Sequence, residues 1–182
     1  MACDVTLGRK VPCKDVVGGI TRIWFVNFGD ITDVTQVADE ITNMTGVFSA
    51  YQYDVKGTSS LEQAITSSRD TGTTFVDQTL TLSLPKLSKE DNLEVKLLSY
   101  GRPQIVIEDY NGNFLFAGLD YGMELTGGTV ATGTAMGDMS GYTLTFLGTE
   151  KIPANFISGA TTADPFAGMA GVTATIVEGT NS

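Results

Sequence analysis

Histidine is absent from this chain, and its absence closes off much chemistry. Without an imidazole there is no Ser-His-Asp or Cys-His nucleophile, and the commonest general base and metal ligand is missing. Two cysteines remain, Cys3 and Cys13. In a reducing compartment they are expected as free thiols. A disulfide or half of an intermolecular metal site is the alternative, although two ligands fall short of the three or four that a metal normally takes. Asp109-Tyr110-Asn111-Gly112-Asn113, with Asp120 further on, has the outline of a calcium loop. Such a loop needs Gly at its sixth position and Glu at its last, where this chain has Phe114 and Asp120. An Asn-Gly turn explains the same residues without a metal. The run GGTVATGTAMGD has the glycine content of a phosphate-cradling loop. It lacks the Gly-Lys-Ser/Thr ending and the strand-to-helix setting, so a flexible or interface loop is expected. No pair of carboxylates stands out for acid–base work. The residues therefore predict no enzyme, no cofactor and no metal site.

The charge balance narrows the partners. Eleven Lys and Arg face 21 Asp and Glu, a formal net charge of −10, which argues against a protein that grips nucleic-acid phosphates. The 182 residues fit one domain, 1–182, with a hydrophobic share of 42% that suits a globular core. No apolar run reaches the length of a membrane-spanning helix, so no membrane partner is expected. The start, MACDVTLGRKVPC, lacks the apolar core of a leader peptide, so folding in a cytoplasm is expected. Twenty-one glycines and a recurrent threonine (Thr79, Thr81, Thr143, Thr145, Thr173, Thr175) point to strands joined by tight turns, a mainly β protein.

Residues 1–19 lack periodicity and read as an extended N-terminal arm. Ile20 to Phe28 is a strand with apolar residues on both faces, so Trp24 and Phe25 are expected in a core or against another subunit. Residues 29–46 read as a loop with at most one short edge strand. Val47 to Val55 alternates, with Val47, Tyr51, Tyr53 and Val55 as the expected core face and Phe48, Ala50, Gln52 and Asp54 opposite. A hairpin joins 60–66 to 73–84 through SSRDTG. Its second arm alternates most clearly: Val76, Leu80, Leu82 and Leu84 inward, Asp77, Thr79, Thr81 and Ser83 toward water. Ser88 as N-cap, Glu90 and Asp91 in the first turn and Gly101 as C-terminal stop predict one helix over 88–100, with Leu93, Leu97 and Leu98 as its apolar stripe. A second hairpin, 104–109 with 114–119, turns at Asn111-Gly112. A strand near 121–126, a Gly-rich loop over 127–141, a strand over 141–150 and a last strand over 172–178 complete the pattern. Residues 153–171 look irregular, and the stretch 153–182 as a whole reads as a C-terminal arm and last strand.

The order of these segments carries a resemblance. PCKDVVGGITRIWFVNF, then TTFVDQTLTLSLPKLSKEDNLEVKLLSYGRPQIVIEDYNGNFLFAG, then GLDYGMELTGGTVATGTAMGDMSGYTLTFLGTEKIPANF resemble the tail tube proteins of tailed bacteriophages, those of phages infecting Bacteroidetes hosts in particular. The resemblance covers about two thirds of the chain and includes no catalytic signature. It implies a two-sheet β-sandwich or barrel flanked by a helix. It also implies hexameric rings that stack, with one sheet of every subunit joining a continuous lumen wall through which DNA passes without specific binding. The partners it implies are the chain itself and other tail proteins: a terminator, a baseplate or tip, and a sheath where the tail has one. The place it implies is the virion tail, assembled in the host cytoplasm. On this reading Asp77, Thr79, Thr81, Ser83, Gln52 and Asp54 face the lumen, while Trp24, Phe25, Val11 and Pro12 touch other subunits. Residues 1–19 and 153–171 reach to neighbours. A head, neck or decoration protein of a virion, and a β-sandwich surface adhesin, are the alternatives.

Overall fold

The computed structural model describes residues 5, 7–11, 13–55 and 57–179. In chain order these form β1 (Ile20–Val26), β2 (Asp33–Val37), β3 (Glu40–Asp54), β4 (Ser60–Ser68), β5 (Thr73–Pro85), α1 (Lys89–Leu98), β6 (Gln104–Asp109), β7 (Phe114–Ala117), β8 (Glu124–Ala131), β9 (Gly141–Glu150), β10 (Asn155–Ile157) and β11 (Val172–Glu178). They make a seven-stranded sheet and a four-stranded sheet, the latter in the order β4-β5-β9-β8. The expected mainly β, two-sheet architecture with one helix is what is found.

The first sheet returns on itself. β1 pairs antiparallel with both β6 and β3. β6 pairs with β7, β7 with β10, and β10 runs parallel to the start of β3. Five strands thus form a ring, with β2 and β11 added to the flanks of β3. Successive strand residues point to opposite faces. Trp24, Val26, Ala50, Val106 and Phe116 therefore share the ring interior, where Ile41, Met44, Phe48, Ile157, Phe166 and Met169 join them. Ile23, Phe25, Ile105 and Ile107 point the other way, against Leu80, Leu82, Tyr142, Leu144 and Phe146 of the second sheet. The two apolar faces of β1 are both consumed within one chain.

Several expectations change. Residues 29–46 are not a loop: they hold β2 and the first half of β3, joined at Ala38-Asp39, both at positive φ. A turn with left-handed residues at both centres usually announces itself through Gly or Asn, and Ala-Asp gives no such signal. In β3 the buried phase over its middle is Phe48 and Ala50, while Val47 is 82% exposed. β3 forms a wall of the ring, and from Met44 to Ala50 its even-numbered side chains point into it. Only Tyr53 and Val55, at the far end, reach the second sheet.

The helix starts as expected, with Ser88 Oγ accepting from Asp91 N at 3.0 Å. It ends at a Ser99 cap, two residues earlier than predicted. It rests on Val95 and Leu98, leaving Leu93 and Leu97 each 55% exposed, so of the expected stripe only Leu98 packs on the core. Residues 153–171 are irregular but are not an arm, because Ile157, Phe166 and Met169 fill the ring. The N-terminal segment is exposed over its described residues, among which the first hydrogen bond to the body is at Val17. There Asn111 accepts from the Val17 N–H at 3.0 Å and donates to the Val17 carbonyl at 2.7 Å.

This packing makes two outcomes testable. Trp24 is fully buried in the ring, so Trp24→Ala is expected to cost about 3–5 kcal/mol in chemical denaturation, and an effect within experimental error would contradict the closed ring. Glu150 is buried, and its Oε1 accepts from Asp120 N at 3.1 Å and Tyr121 N at 2.8 Å. Burial raises its carboxyl above the ordinary 4.5 despite those two bonds. A raised carboxyl means the folded chain holds the proton more tightly than the unfolded one, so stability rises as pH falls toward 4.5. Glu150→Gln keeps both bonds without the charge. The stability of wild type relative to this variant should therefore climb as pH falls through that window, and a flat difference would contradict the burial argument.

A candidate functional surface on the second sheet

β5 is the second strand of the four-stranded sheet, and its period of two divides it cleanly. Val76, Gln78, Leu80 and Leu82 are buried against the ring. Asp77, Thr79 and Thr81 point away, opposite Thr149, Leu147 and Thr145 of β9. Glu62 and Ala64 extend this outer face on β4, and Glu124, Gly127 and Thr129 extend it on β8. None of the four strands contains a lysine or an arginine. Thr149 Oγ1 donates to Asp77 Oδ1 at 2.7 Å, so one of the few carboxylates there is tied to its cross-strand neighbour. The surface is rich in threonine hydroxyls and weakly acidic, with Leu147, 38% exposed, opposite Thr79 and Phe75 paired with Thr66 toward one end.

Asp77, Thr79 and Thr81 share this face as the alternation predicts. Ser83 points the same way but is buried: its Oγ donates to Met139 Sδ at 3.1 Å, and its N–H donates to Ser59 Oγ at 3.0 Å. The loop 132–140 folds over that end of the sheet, held by the Asp138 carboxylate, which accepts from Ala135 N at 2.7 Å and Thr134 N at 2.8 Å. Those two backbone donors hold the Asp138 carboxyl below its ordinary value. The strand before this loop, β8, runs to Ala131, so the first five residues of the Gly-rich segment are strand and 132–140 are loop. Gln52 and Asp54 do not belong to this face. They lie on β3 in the other sheet, where Asp54 Oδ1 pairs with Arg22 Nε at 2.9 Å. Trp24 and Phe25 are core residues with no surface to offer another subunit. Val11 is exposed, and Pro12 and Cys3 lie outside the described residues. Cys13 is exposed and free.

The polar phase of β9, Thr143, Thr145 and Thr149, is readable in GYTLTFLGTE, but nothing in the sequence says that β9 pairs with β5. The calcium-like segment is a hairpin turn. Burial raises the Asp109 carboxyl, but bonds from Asn113 and Asn111 outweigh it and hold it below its ordinary value. Its oxygens are thereby used within the turn. Among the described residues no cluster of three or more Cys, Asp or Glu is placed to hold a metal ion. No described helix is long and apolar enough to cross a membrane.

Among the described residues, both outer strands of the sheet, β4 and β8, have one side unpaired. An open strand edge is a template for another strand. Gly141, at the start of β9, keeps the sheet close-packed beside the covering loop, since a Cβ there would collide with the Leu84 carbonyl. In comparisons with protein families, curated proteins and solved structures, no family model, no curated protein and no solved structure matches the chain.

The open character of the face has a direct test. Thr81→Lys is expected to leave stability within about 1 kcal/mol of wild type, because the new chain projects into water. Leu82→Ala, one residue on and buried, is expected to cost about 2–5 kcal/mol. Equal losses in paired denaturation curves would show that the Thr81 side is covered.

Proposed function

We propose that this chain is a structural subunit that assembles into stacked rings, and that the outer face of its second sheet lines a channel for DNA, as in the tail tube of a tailed bacteriophage. The observation that carries this reading is a four-stranded sheet with both edges open and no cation on any of its strands. Duplex DNA presents one phosphate charge per ~1.7 Å of its axis, and each lysine or arginine that met it would bind by releasing counterions. A wall of threonines and scattered carboxylates, with Leu147 among them, offers a phosphate nothing to bind and repels it weakly, so a genome slides past. At a strand spacing of ~4.8 Å, six copies joined edge to edge give a closed wall about 115 Å around, or about 37 Å between opposite backbones before strand tilt. Short side chains such as threonine leave that bore open. The number six comes from the family resemblance. The absence of histidine and the use of the acidic turns as structural caps agree with a subunit that does no catalysis.

The test is chemical. In a background lacking Cys3 and Cys13, Thr79→Cys is assembled and treated with a maleimide too bulky to enter a closed tube. Labelling of free subunits with protection along assembled tubes supports the proposal. Full labelling of intact tubes places the face outside, and a chain that never assembles removes the reading altogether.

A further inference from the structure

No residue of α1 is buried, and Leu93 and Leu97 are each 55% exposed. Beside the helix runs a groove of about 490 Å³ between its first turns and the ends of β3 and β11. It continues along the helix as a second hollow of about 550 Å³ that shares Tyr51, Tyr53 and Glu94 and reaches Leu97 and Phe28. Among the described residues the first part is lined by five carboxylates, those of Asp54, Glu90, Asp91, Glu94 and Glu178, and by no cation. Asp54 holds Arg22 and Glu90 holds Lys89. Among the described residues Asp91, Glu94 and Glu178 have no ion-pair partner. Burial, then the charges of Glu94 and Asp91, push the Tyr53 hydroxyl far above the ordinary phenol range, as expected in a negative hollow.

The chain contains a complementary segment. Val5, Leu7 and Val11 are 93%, 87% and 96% exposed, and Arg9, Lys10 and Lys14 are interleaved with them. In an isolated copy both these aliphatic side chains and the helix face stay in water. The residues from 5 to Val17 span up to about 40 Å when extended, enough to run along the whole groove of a neighbour.

We propose that the groove beside α1 receives the N-terminal segment, residues 5–14, of a second copy of this chain. Its aliphatic side chains lie on Tyr51, Tyr53 and Leu97, and its cations face Asp91, Glu94 and Glu178. The proposal rests on self-assembly and names where one subunit grips the next. Surface ion pairs are screened beyond ~8 Å at physiological salt, so the contact weakens as salt rises.

The experiment uses two full-length chains of different tagged mass. One carries C3S and keeps Cys13; the other carries C3S, C13S and L97C. A short bis-maleimide is added to the mixture at low salt, and tubes are scored separately by microscopy. A crosslinked heterodimer is expected, reduced at least tenfold by R9E/K10E in the first chain and restored when the second also carries E94K/E178K. No heterodimer under conditions that give tubes overturns the docking and leaves the tube reading intact. A heterodimer indifferent to R9E/K10E also overturns it. So does a chain carrying both Cys13 and L97C that crosslinks only within itself. A charge-dependent heterodimer without tubes supports the docking and counts against the tube.

Discussion

A β-strand can satisfy one neighbour on each side, and β3 uses both sides at both of its ends. Glu40 and Ile41 carry β2 and β10, while Ala50 to Gln52 carry β11 and β1. That double pairing closes the ring, and the ring sets much else. It turns Trp24, Phe48 and Phe116 inward to a common core. It leaves the opposite faces of β1 and β6 as an apolar wall on which the second sheet packs. At one rim, Arg22 bonds Asp54 at 2.9 Å and Thr162 bonds the buried Glu108 at 2.9 Å, so a polar cap ends the hydrocarbon interior. The second sheet, in contrast, does not close. Its two edge strands are where the chain can extend itself.

Charge is distributed to match. The four strands of the open sheet carry no lysine or arginine, whereas three of the eleven cations lie in the first nineteen residues. A face without cations and a tail that concentrates them are different devices. On the proposed reading, the first would avoid binding a polyanion that passes along the surface. On the proposed docking, the second would meet carboxylates on another copy of the same acidic body. Both fit a protein whose work is assembly, and neither requires a catalytic group.

Strong periodicity makes much of this legible in the sequence. The alternation in TTFVDQTLTLSL shows which side of β5 is dry, and the Ser88 cap shows where the helix begins. Asn111-Gly112 marks its hairpin, although the turn is closed by the Asp109 carboxylate, with only Gly112 in a left-handed conformation. Tertiary context sets the rest. The β2–β3 turn at Ala38-Asp39 has no local turn signature. The buried phase of β3 depends on which neighbour covers it, and that changes along its length. Phe166 and Met169 lie in an irregular stretch that reads as an arm, since loop residues carry no period to reveal their burial. Gln52 and Asp54 separate from the β5 face because alternation says only which residues share a side of one strand. It does not say which strands share a sheet.

The most direct measurement is a reconstruction of the assembled protein by electron cryomicroscopy. The account predicts six-fold rings in which the second sheet is innermost, β4 of each copy hydrogen-bonded to β8 of the next, with Thr79 and Thr81 lining the bore. Rings with the closed first sheet innermost, or a second sheet on the outer surface with β4 and β8 unpaired, would contradict it.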